Sequence, residues 1–297
     1  MKKIVYIFTF FTHLFPLIGY GVDLQPNDIV APQPGKYNVM MSYYATQNAN
    51  FYKNGSVVST TPFGNPVIDI SSAILRAGHS YTIGQIPATS FIQLSYGSIN
   101  PNGSLSSNPS SEGMGDFVLA TALWPYANQE TRTYLGLAAY LSIPTGSYSS
   151  SQAFNAGSNR YSFDLQIGFQ KPITHNIDGM IALDTQWFGD NSQCAAACGS
   201  NSSILLTQKP LTTLQLGPIY KINQIFTLGA SYFYVAGGAT EINNVYQNNV
   251  INTQRFLLSG IAYTDFGRFS LQYGKDLAVE NGFIQTRVFA LRYTRQF

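Results

Sequence analysis

Residues 160–170 read RYSFDLQIGFQ, and every second residue of this stretch is apolar. The apolar residues are Tyr161, Phe163, Leu165, Ile167 and Phe169, and those between them are charged, polar or glycine. Successive side chains of a β-strand point to opposite faces, whereas the turn of a helix would mix the two sets. The stretch therefore predicts a strand with one apolar face and one polar face.

The same alternation recurs from Tyr37 to the C-terminus, and stretches typical of turns separate the alternating segments. Barrels of the bacterial outer membrane have an even number of such strands, with apolar side chains outside and polar ones inside. The predicted fold class is therefore all-β, a transmembrane antiparallel up-and-down β-barrel of about 12 strands. The segments lie near residues 37–46, 67–82, 88–98, 114–126, 131–145, 159–171, 176–189, 205–221, 225–240, 250–264, 267–279 and 283–297.

The composition also indicates a chain that faces lipid. Charged residues make up 10% of the 297 residues, against about 25% in ordinary soluble proteins, while Tyr and Phe number 20 each. After the N-terminal stretch, no apolar run approaches the roughly 20 residues of a membrane-spanning helix. A closed barrel reconciles these facts, because it satisfies the backbone hydrogen bonds without a long apolar segment. The net charge of +2 gives no reason to expect a nucleic-acid partner. The expected surroundings of the barrel are outer-membrane lipid.

The connections between the segments alternate in length. Gln47 to Pro66 is long and Gly84 to Pro87 is short, and the alternation continues as far as residues 222–224. Outer-membrane barrels have short periplasmic turns and longer extracellular loops. With the N-terminus in the periplasm, the long connections are predicted to be extracellular.

The first residues have the parts of a secretory signal peptide. Lys2 and Lys3 precede an apolar stretch, and small residues follow it up to Gly21. Residues 1–21 are therefore predicted to be a signal peptide cleaved after Gly21, with an uncleaved membrane anchor as the alternative. Residues 22–36 contain three prolines and cannot form a continuous strand, so they are either a periplasmic leader or a short plug. The barrel is assigned to residues 37–297, in the cell outer membrane.

The two cysteines, Cys194 and Cys198, lie in a stretch rich in Gly, Ser and Asn. In an exported protein, such a pair favours a disulfide within a loop. A metal site is the alternative, but no His neighbours the pair to complete a set of ligands. We therefore predict a disulfide and neither a metal nor a cofactor.

Strand alternation also directs a set of charged side chains toward the lumen, with nearly balanced signs. Such residues either brace the barrel wall or line a polar constriction that selects what passes. Arg160 and Asp164 share one face of a strand, and Asp184 on the next strand could complete a triad with them. The predicted set is Asp69, Asp116, Arg132, Arg160, Asp164, Asp184, Lys221, Arg268, Asp276 and Arg292.

Aromatic residues suggest how the barrel is assembled and seated. The chain ends on Phe297, preceded by apolar residues at alternate positions, like the strand that the barrel-assembly machinery recognises in outer-membrane proteins. Trp124 and Trp187 are typical of the aromatic belts at the membrane interface, with a ligand platform as the alternative.

Several stretches, spread over nearly all of the predicted mature chain, carry a resemblance to a known family. They are residues 23–26 (DLQP), 34–35 (PG), 113–116 (GMGD), 131–137 (TRTYLGL), 143–146 (IPTG), 159–163 (NRYSF), 185–191 (TQWFGDN), 252–255 (NTQR) and 271–283 (LQYGKDLAVENGF). Through them the sequence resembles the family named after the MetA pathway of phenol degradation. The resemblance implies a barrel related to hydrocarbon and fatty-acid channels, with a role in the uptake of aromatic or other small organic molecules.

Groups suited to catalysis are scarce in the predicted mature chain. A hydrolase needs a nucleophile with a base in reach, and the two histidines, His79 and His175, fall near a strand end and in a short turn. No catalytic residue is predicted, and the chain is not expected to be an enzyme. The predicted function is a channel or transporter for small organic molecules, aromatic or hydrophobic ones among them. The alternative is a non-conducting barrel that displays its loops for surface interactions.

Overall fold

The computed structural model describes residues 23–297, in which twelve long antiparallel strands form one closed sheet. Each strand pairs with its neighbours in the chain, and the last strand pairs with the first. The all-β class, the up-and-down order and the count of 12 strands are therefore confirmed. The strands are β1 (Tyr37–Lys53), β2 (Pro66–Ile83), β3 (Ile86–Gly103), β4 (Phe117–Asn128), β5 (Thr133–Ile143), β6 (Ser162–Pro172), β7 (Ile177–Phe188), β8 (Leu211–Lys221), β9 (Phe226–Gly237), β10 (Ile251–Thr264), β11 (Gly267–Val279) and β12 (Gly282–Gln296).

The barrel closes where β1 meets β12. Asn38 lies opposite Gln296 and Tyr52 lies opposite Gly282, so the two strands pair along nearly their whole length. Closure leaves the sheet without an edge of unpaired backbone groups, as a lipid environment requires. No helix within residues 23–297 is long and apolar enough to cross a membrane.

The two faces of the strands differ in chemistry as the alternation predicts. On β6, the side chains of Leu165 and Ile167 are 47% and 44% exposed on the outside, whereas Asp164 and Gln166 are buried inside. Apolar side chains exposed in this way are stable where lipid surrounds the barrel. The outer face is therefore the lipid-facing surface, and the polar residues of β6 belong to the lumen.

The two ends of the barrel differ in the length of their connections. One end has only short turns, at residues 84–85, 129–132, 173–176, 222–225 and 265–266. The other end has long loops at residues 54–65, 104–116, 144–161, 189–210 and 238–250, and one two-residue turn at 280–281. The alternation of long and short connections thus holds for every pair except the last. By the usual arrangement of such barrels, the long-loop end is extracellular.

The long loops fold together over their end of the barrel. Ile68 and Ile99 of the wall pack against Leu105 and Phe154 of the loops, and all four side chains are buried. A separate four-stranded sheet is formed by the loop residues Asn191–Cys194, Ile204–Gln208, Thr240–Ile242 and Val245–Tyr246. Its Cys194 and Cys198 are joined by a disulfide and packed against Leu206.

Two predicted strand bounds are wrong: β1 continues past residue 46 to Lys53, and β8 starts later than predicted. The alternating segment near residues 205–221 is two strands in the structure, because Ile204–Gln208 leaves the barrel for the loop sheet and β8 starts only at Leu211. Pro210 lies between them and has no N–H to continue a ladder. Its carbonyl oxygen instead accepts a hydrogen bond from the N–H of Gly238.

Phe297 follows directly after β12. Its backbone N–H donates a hydrogen bond of 2.9 Å to the carbonyl oxygen of Tyr37, and its ring is exposed. The last residue therefore lies where β12 meets β1. Its recognition by the assembly machinery stays a prediction.

A charge placed on the outer face tests the assignment of the two faces. Leu165→Arg is expected to lower the free energy of unfolding by about 2–4 kcal/mol, because the cation would lie in the hydrocarbon layer. Ile173→Arg, in a short turn at the end of the barrel, is the matched control and is expected to cost about 0–1 kcal/mol. Urea unfolding in lipid vesicles measures both, and equal costs would contradict the assignment.

The loop disulfide can be tested on intact cells. A membrane-impermeant maleimide is expected to label neither Cys194 nor Cys198 until a reductant is added, and to label both after reduction and unfolding. The double variant Cys194→Ser/Cys198→Ser sets the background. Labelling without reductant would show that the thiols are free.

Candidate functional site in the barrel lumen

Residues 23–32 lie inside the barrel, and the exposed residues 33–36 lead from them to β1; we call residues 23–36 the lumen segment. They form turns and no strand, with the N–H of Asp28 donating to Gln25 O and the N–H of Val30 to Asn27 O. Near the short-turn end, the N–H of Gly35 donates to Ser80 O, so the segment joins β1 beside the wall. The three prolines of this region explain the absence of a strand.

A pair of arginines holds Asp28 at the centre of the lumen segment. Its two carboxylate oxygens lie 2.7 Å from Arg268 Nη1 of β11 and 2.7 Å from Arg292 Nη1 of β12. Arg268 Nη2 also donates to the carbonyl oxygen of Pro26 at 2.7 Å. Burial raises the pKa of Asp28, but the two arginines lower it more, from 3.8 to about 2. The carboxylate therefore stays charged at any pH that the cell meets.

Polar groups of β10 and β11 bind the lumen segment near its first described residues. Asp23 forms an ion pair with Arg255, whose guanidinium group lies 4.5 Å from the ring centre of Phe233. Gln25 is almost fully buried, donates to Gln272 Oε1 at 2.9 Å and accepts a hydrogen bond from Ser270 Oγ. Since buried polar groups are costly unless paired, these contacts fix the segment in one position.

Apolar contacts hold the opposite side of the lumen segment. Ile29 packs with Trp124, Tyr134 and Ile219, and Trp124 Nε1 donates to Ile29 O at 2.8 Å. Glycines leave space where the lumen segment touches the wall. A Cβ on Gly168 would lie 3.0 Å from Ile29 Cδ1, and one on Gly229 would lie 2.3 Å from Pro26 Cγ.

A cavity of about 1180 Å³ remains between the lumen segment and the wall. Turn residues such as Gln129 and Asn223 line it, so it lies toward the short-turn end. A second cavity of about 30 Å³ lies beside Asp23 and Arg255. Five basic and three acidic side chains line the large cavity, together with aromatic rings. They are Arg76, Arg132, Lys221, Arg268 and Arg292; Asp23, Asp28 and Asp178; and Phe91, Trp124, Tyr134, Tyr140 and Tyr263.

Most of the charged residues predicted to point inward do so. The lumen contains the buried side chains of Asp164, Asp184, Asp276 and Arg292. Arg268 forms its ion pair there with Asp28. At the short-turn end, buried Asp178 receives Arg132 at 3.2 Å and Lys221 at 2.7 Å. Asp116 lies among the loops instead, where it accepts hydrogen bonds from the N–H groups of Gly146 and Ser158. The predicted set of charged residues thus includes some that form ion pairs across the lumen and some that line the cavity.

The predicted triad of Arg160, Asp164 and Asp184 is not formed. Arg160 lies before the start of β6, where its Nη2 donates to Gln208 Oε1 and its guanidinium group lies 4.6 Å from the ring centre of Phe188. Within residues 23–297 no ion pair joins it to either aspartate. The alternation could not be extended to Arg160, because the chain leaves the strand there.

Two other residues lie on the face of the sheet opposite to the one predicted. Asp69 was assigned to the lumen, but its neighbours Ile68 and Ile70 are the buried ones, so Asp69 points outward and accepts a hydrogen bond from Gln47. Trp124 was assigned to an interface belt, but it is buried in the lumen. Trp187 is exposed on the outer face, as the belt interpretation requires.

Other lumen residues were missed. Asp178 shares the parity of Asp184 on β7 and could have been found by the same rule. Arg255 is also in phase with the buried side chains of β10, but these include Leu257 and Ile261, so the inner face of this strand is not marked as polar. Asp23 and Asp28 precede the first strand, so no alternation points to them.

Comparison with known proteins identifies the chain. The family model described as MetA-pathway of phenol degradation matches residues 33–293. The chain belongs to this family. No curated protein matches its sequence.

The similar solved structures are membrane barrels. The COG4313 outer membrane channel from Pseudomonas putida F1 is 26% identical, with a TM-score of 0.86, and the match covers 93% of this chain and 100% of that one. The β-domain of the Bordetella autotransporter BrkA is 10% identical, with a TM-score of 0.53, covering 88% and 99%. The deltaS2 mutant of the monoaromatic hydrocarbon channel TodX is 10% identical, with a TM-score of 0.50, covering 90% and 91%. The last two show the fold alone, and the chain is an outer-membrane β-barrel.

The contribution of Asp28 to the binding of the lumen segment can be measured with a single tryptophan. In the background Trp187→Phe, Trp124 is the sole tryptophan and reports on its contact with Ile29. Asp28→Asn is expected to weaken the binding of the segment to the wall by about 3–5 kcal/mol, because it leaves the buried Arg292 and the partly buried Arg268 without their counter-charge. The emission of Trp124 should then shift to the red and become easier to quench with acrylamide.

The same reporter has a defined pH dependence. The folded pKa of Asp28 is depressed from 3.8 to about 2, so the ion pair contributes fully above pH 3.8 and is lost as the pH falls through about 2. Asp69→Asn, on the outer face, is the control and is expected to leave the emission unchanged. An unchanged emission in Asp28→Asn would contradict the role given to this carboxylate.

Proposed function

We propose that this outer-membrane barrel is a channel for the uptake of small organic molecules, aromatic and hydrophobic ones among them. The observation that carries the proposal is the large cavity, which combines aromatic rings with basic side chains inside a closed lumen. The cavity of about 1180 Å³ is large enough for an organic molecule, since small-molecule sites typically measure about 300–1,000 Å³.

The similar proteins support a transport function. The Pseudomonas putida F1 relative is an outer membrane channel, and the description of the family names phenol degradation. Phenolates and aromatic carboxylates combine a ring with a negative charge. The excess of basic over acidic groups around the cavity, beside Phe91 and Tyr140, fits that chemistry.

In this function the lumen segment is the gate. It lines the large cavity on one side, and the side chains of Asp28, Gln25 and Ile29 bind it to the wall. A solute that crosses the barrel has to displace it at least in part. Cleavage after Gly21 would leave this segment as the start of the mature chain and would release the protein from its signal peptide.

A second function, display of the loops to a partner at the cell surface, has one observation in its favour. The loops form their own sheet with a disulfide, packed over the end of the barrel. Rigid loops of this kind suit an interaction surface. A channel and a display protein differ in conductance and uptake, which therefore separate the two functions.

The channel function predicts a response to loosening the gate. In planar bilayers, Asp28→Asn is expected to conduct more than the wild type, because the segment that fills the lumen is held less tightly. Asp69→Asn, which changes the same charge on the outer face, is expected to behave as the wild type does.

Uptake by cells tests the substrate class. A deletion strain should take up aromatic acids and phenols more slowly, and the wild-type gene should restore the rate. Alkanes in the same panel show whether charge is required. Unchanged uptake across the panel, together with silent bilayers for both proteins, would favour the display function.

A further inference from the structure

The outer face of the barrel carries very few charges away from the ends of its strands. In the twelve barrel strands that the structure describes, the outward charged side chains more than two residues from a strand end are Asp69, Lys275 and Arg287. The two basic side chains are exposed and in phase with lipid-facing rings, Lys275 with Tyr273 and Arg287 with Phe289. Charges on a lipid-facing surface are costly unless they reach the headgroups.

The two basic residues are neighbours across two strands. Gly274 of β11 lies opposite Val288 of β12, and Lys275 and Arg287 are the next residues of these antiparallel strands toward the long loops. Side chains directly opposite each other in such a pair have Cβ atoms about 4.5–5.5 Å apart. Like charges at this spacing repel each other, so an anion that both side chains contact would stabilise the pair.

No carboxylate of the described chain supplies this anion. Within residues 23–297 neither basic side chain forms an ion pair. Asp69 is two strands from Arg287, because Gln47 lies opposite both, and its Oδ1 accepts a hydrogen bond from Gln47 at 3.0 Å. In the turn after β11, Glu280 Oε2 accepts a hydrogen bond from Asn252 at 2.9 Å. The anion that completes the pair therefore comes from outside the described residues.

The pair lies in the half of the barrel that is nearer the long loops. Lys275 is four residues from the end of β11 at these loops and eight from its other end, and Arg287 is five residues from the corresponding end of β12. Long basic side chains extend along an apolar surface and place their charge among the headgroups. Since the long-loop end is extracellular, these headgroups belong to the outer leaflet.

The surface between this pair and the short turns suits acyl chains. The rings of Tyr273, Phe289 and Tyr43 are exposed there. Small side chains lie between them, because Ala45 is opposite Phe289 and Ala73 is opposite Tyr43. A lipid with an anionic head and several acyl chains would contact both the basic pair and this apolar surface, whereas a free phosphate ion would contact the pair alone.

We propose that Lys275 and Arg287 bind a phosphate group of lipid A, the phosphorylated glycolipid part of lipopolysaccharide in the outer leaflet. The guanidinium group of Arg287 can donate two parallel hydrogen bonds to phosphate, and the ammonium group of Lys275 adds a second positive charge. The acyl chains then pack along Tyr273 and Phe289. The inference concerns a lipid partner of the barrel wall, so it goes beyond the channel function and does not depend on it.

The experiment measures the binding of lipid A to the folded protein in detergent. Native mass spectrometry follows a titration with bisphosphorylated lipid A. The double variant Lys275→Gln/Arg287→Gln is expected to bind the lipid about tenfold or more weakly than the wild type, because it loses the charge-assisted hydrogen bonds to phosphate. Lipid A should also raise the unfolding temperature of the wild type and leave that of the double variant nearly unchanged.

Matched variants separate this pair from net charge. Lys171→Gln/Arg295→Gln removes two exposed basic side chains of the outer face near the short-turn end, so the net charge falls by the same amount. This control should bind lipid A as the wild type does. Lys275→Arg keeps the charge and should bind as the wild type does. Lipid A without its phosphate groups should bind the wild type and the Lys275→Gln/Arg287→Gln variant equally weakly.

The outcomes decide the proposal independently of transport. Equal binding of lipid A by the wild type and the Lys275→Gln/Arg287→Gln variant overturns it, and so does an equal loss in the control, which would be an effect of net charge. Phosphatidylglycerol bound as tightly as lipid A, or displacement of lipid A by inorganic phosphate, overturns the choice of this glycolipid. If the double variant loses the gel shift between unheated and boiled samples, Arg287→Gln alone replaces it. Conductance and uptake do not enter the readout, so failure of the channel function would leave this result intact.

Discussion

Closure of the sheet between β1 and β12 is the constraint on which the rest of the structure depends. A strand that crosses lipid has no water to satisfy its N–H and C=O groups, so every strand must have a neighbour on both sides. Closure also divides the side chains of each strand between lipid and lumen. On β6 this division leaves Leu165 and Ile167 outside and puts Asp164 and Gln166 into the interior. The polar side chains of the interior then need hydrogen-bond or ion-pair partners.

The lumen segment supplies many of these partners. Asp28 pairs with both Arg268 and Arg292, and Asp23 pairs with Arg255, so three arginines of the wall find carboxylate partners outside the sheet. Charge in the lumen is also separated along its length. Basic groups predominate around the large cavity, whereas Asp164 and Asp184, nearer the long loops, form no ion pair with a described residue. A solute that moves through the barrel would meet both environments in turn.

Sequence alternation predicted most of the wall and little of the interior's organisation. It located twelve strands and the lumen positions of Asp164 and Asp184, because lipid on one side imposes a strict period of two. It misplaced Asp69, whose strand is apolar on the inner face near the loops, and it missed Arg255, whose inward neighbours Leu257 and Ile261 on β10 are apolar too. The contacts of the lumen segment join residues far apart in the chain, such as Gln25 and Gln272, and no local pattern encodes them.

The position of the arginines that hold the lumen segment has a consequence for the order of assembly. Residues 23–36 are among the first of the described chain to leave the ribosome and the inner membrane, but Arg255, Arg268 and Arg292 belong to the last three strands. An unfinished barrel can therefore make the apolar contacts of Ile29 but lacks the arginines that pair with Asp23 and Asp28. The three ion pairs of the segment can then form only once β10, β11 and β12 are present, and a chain truncated before β10 would lack all of them.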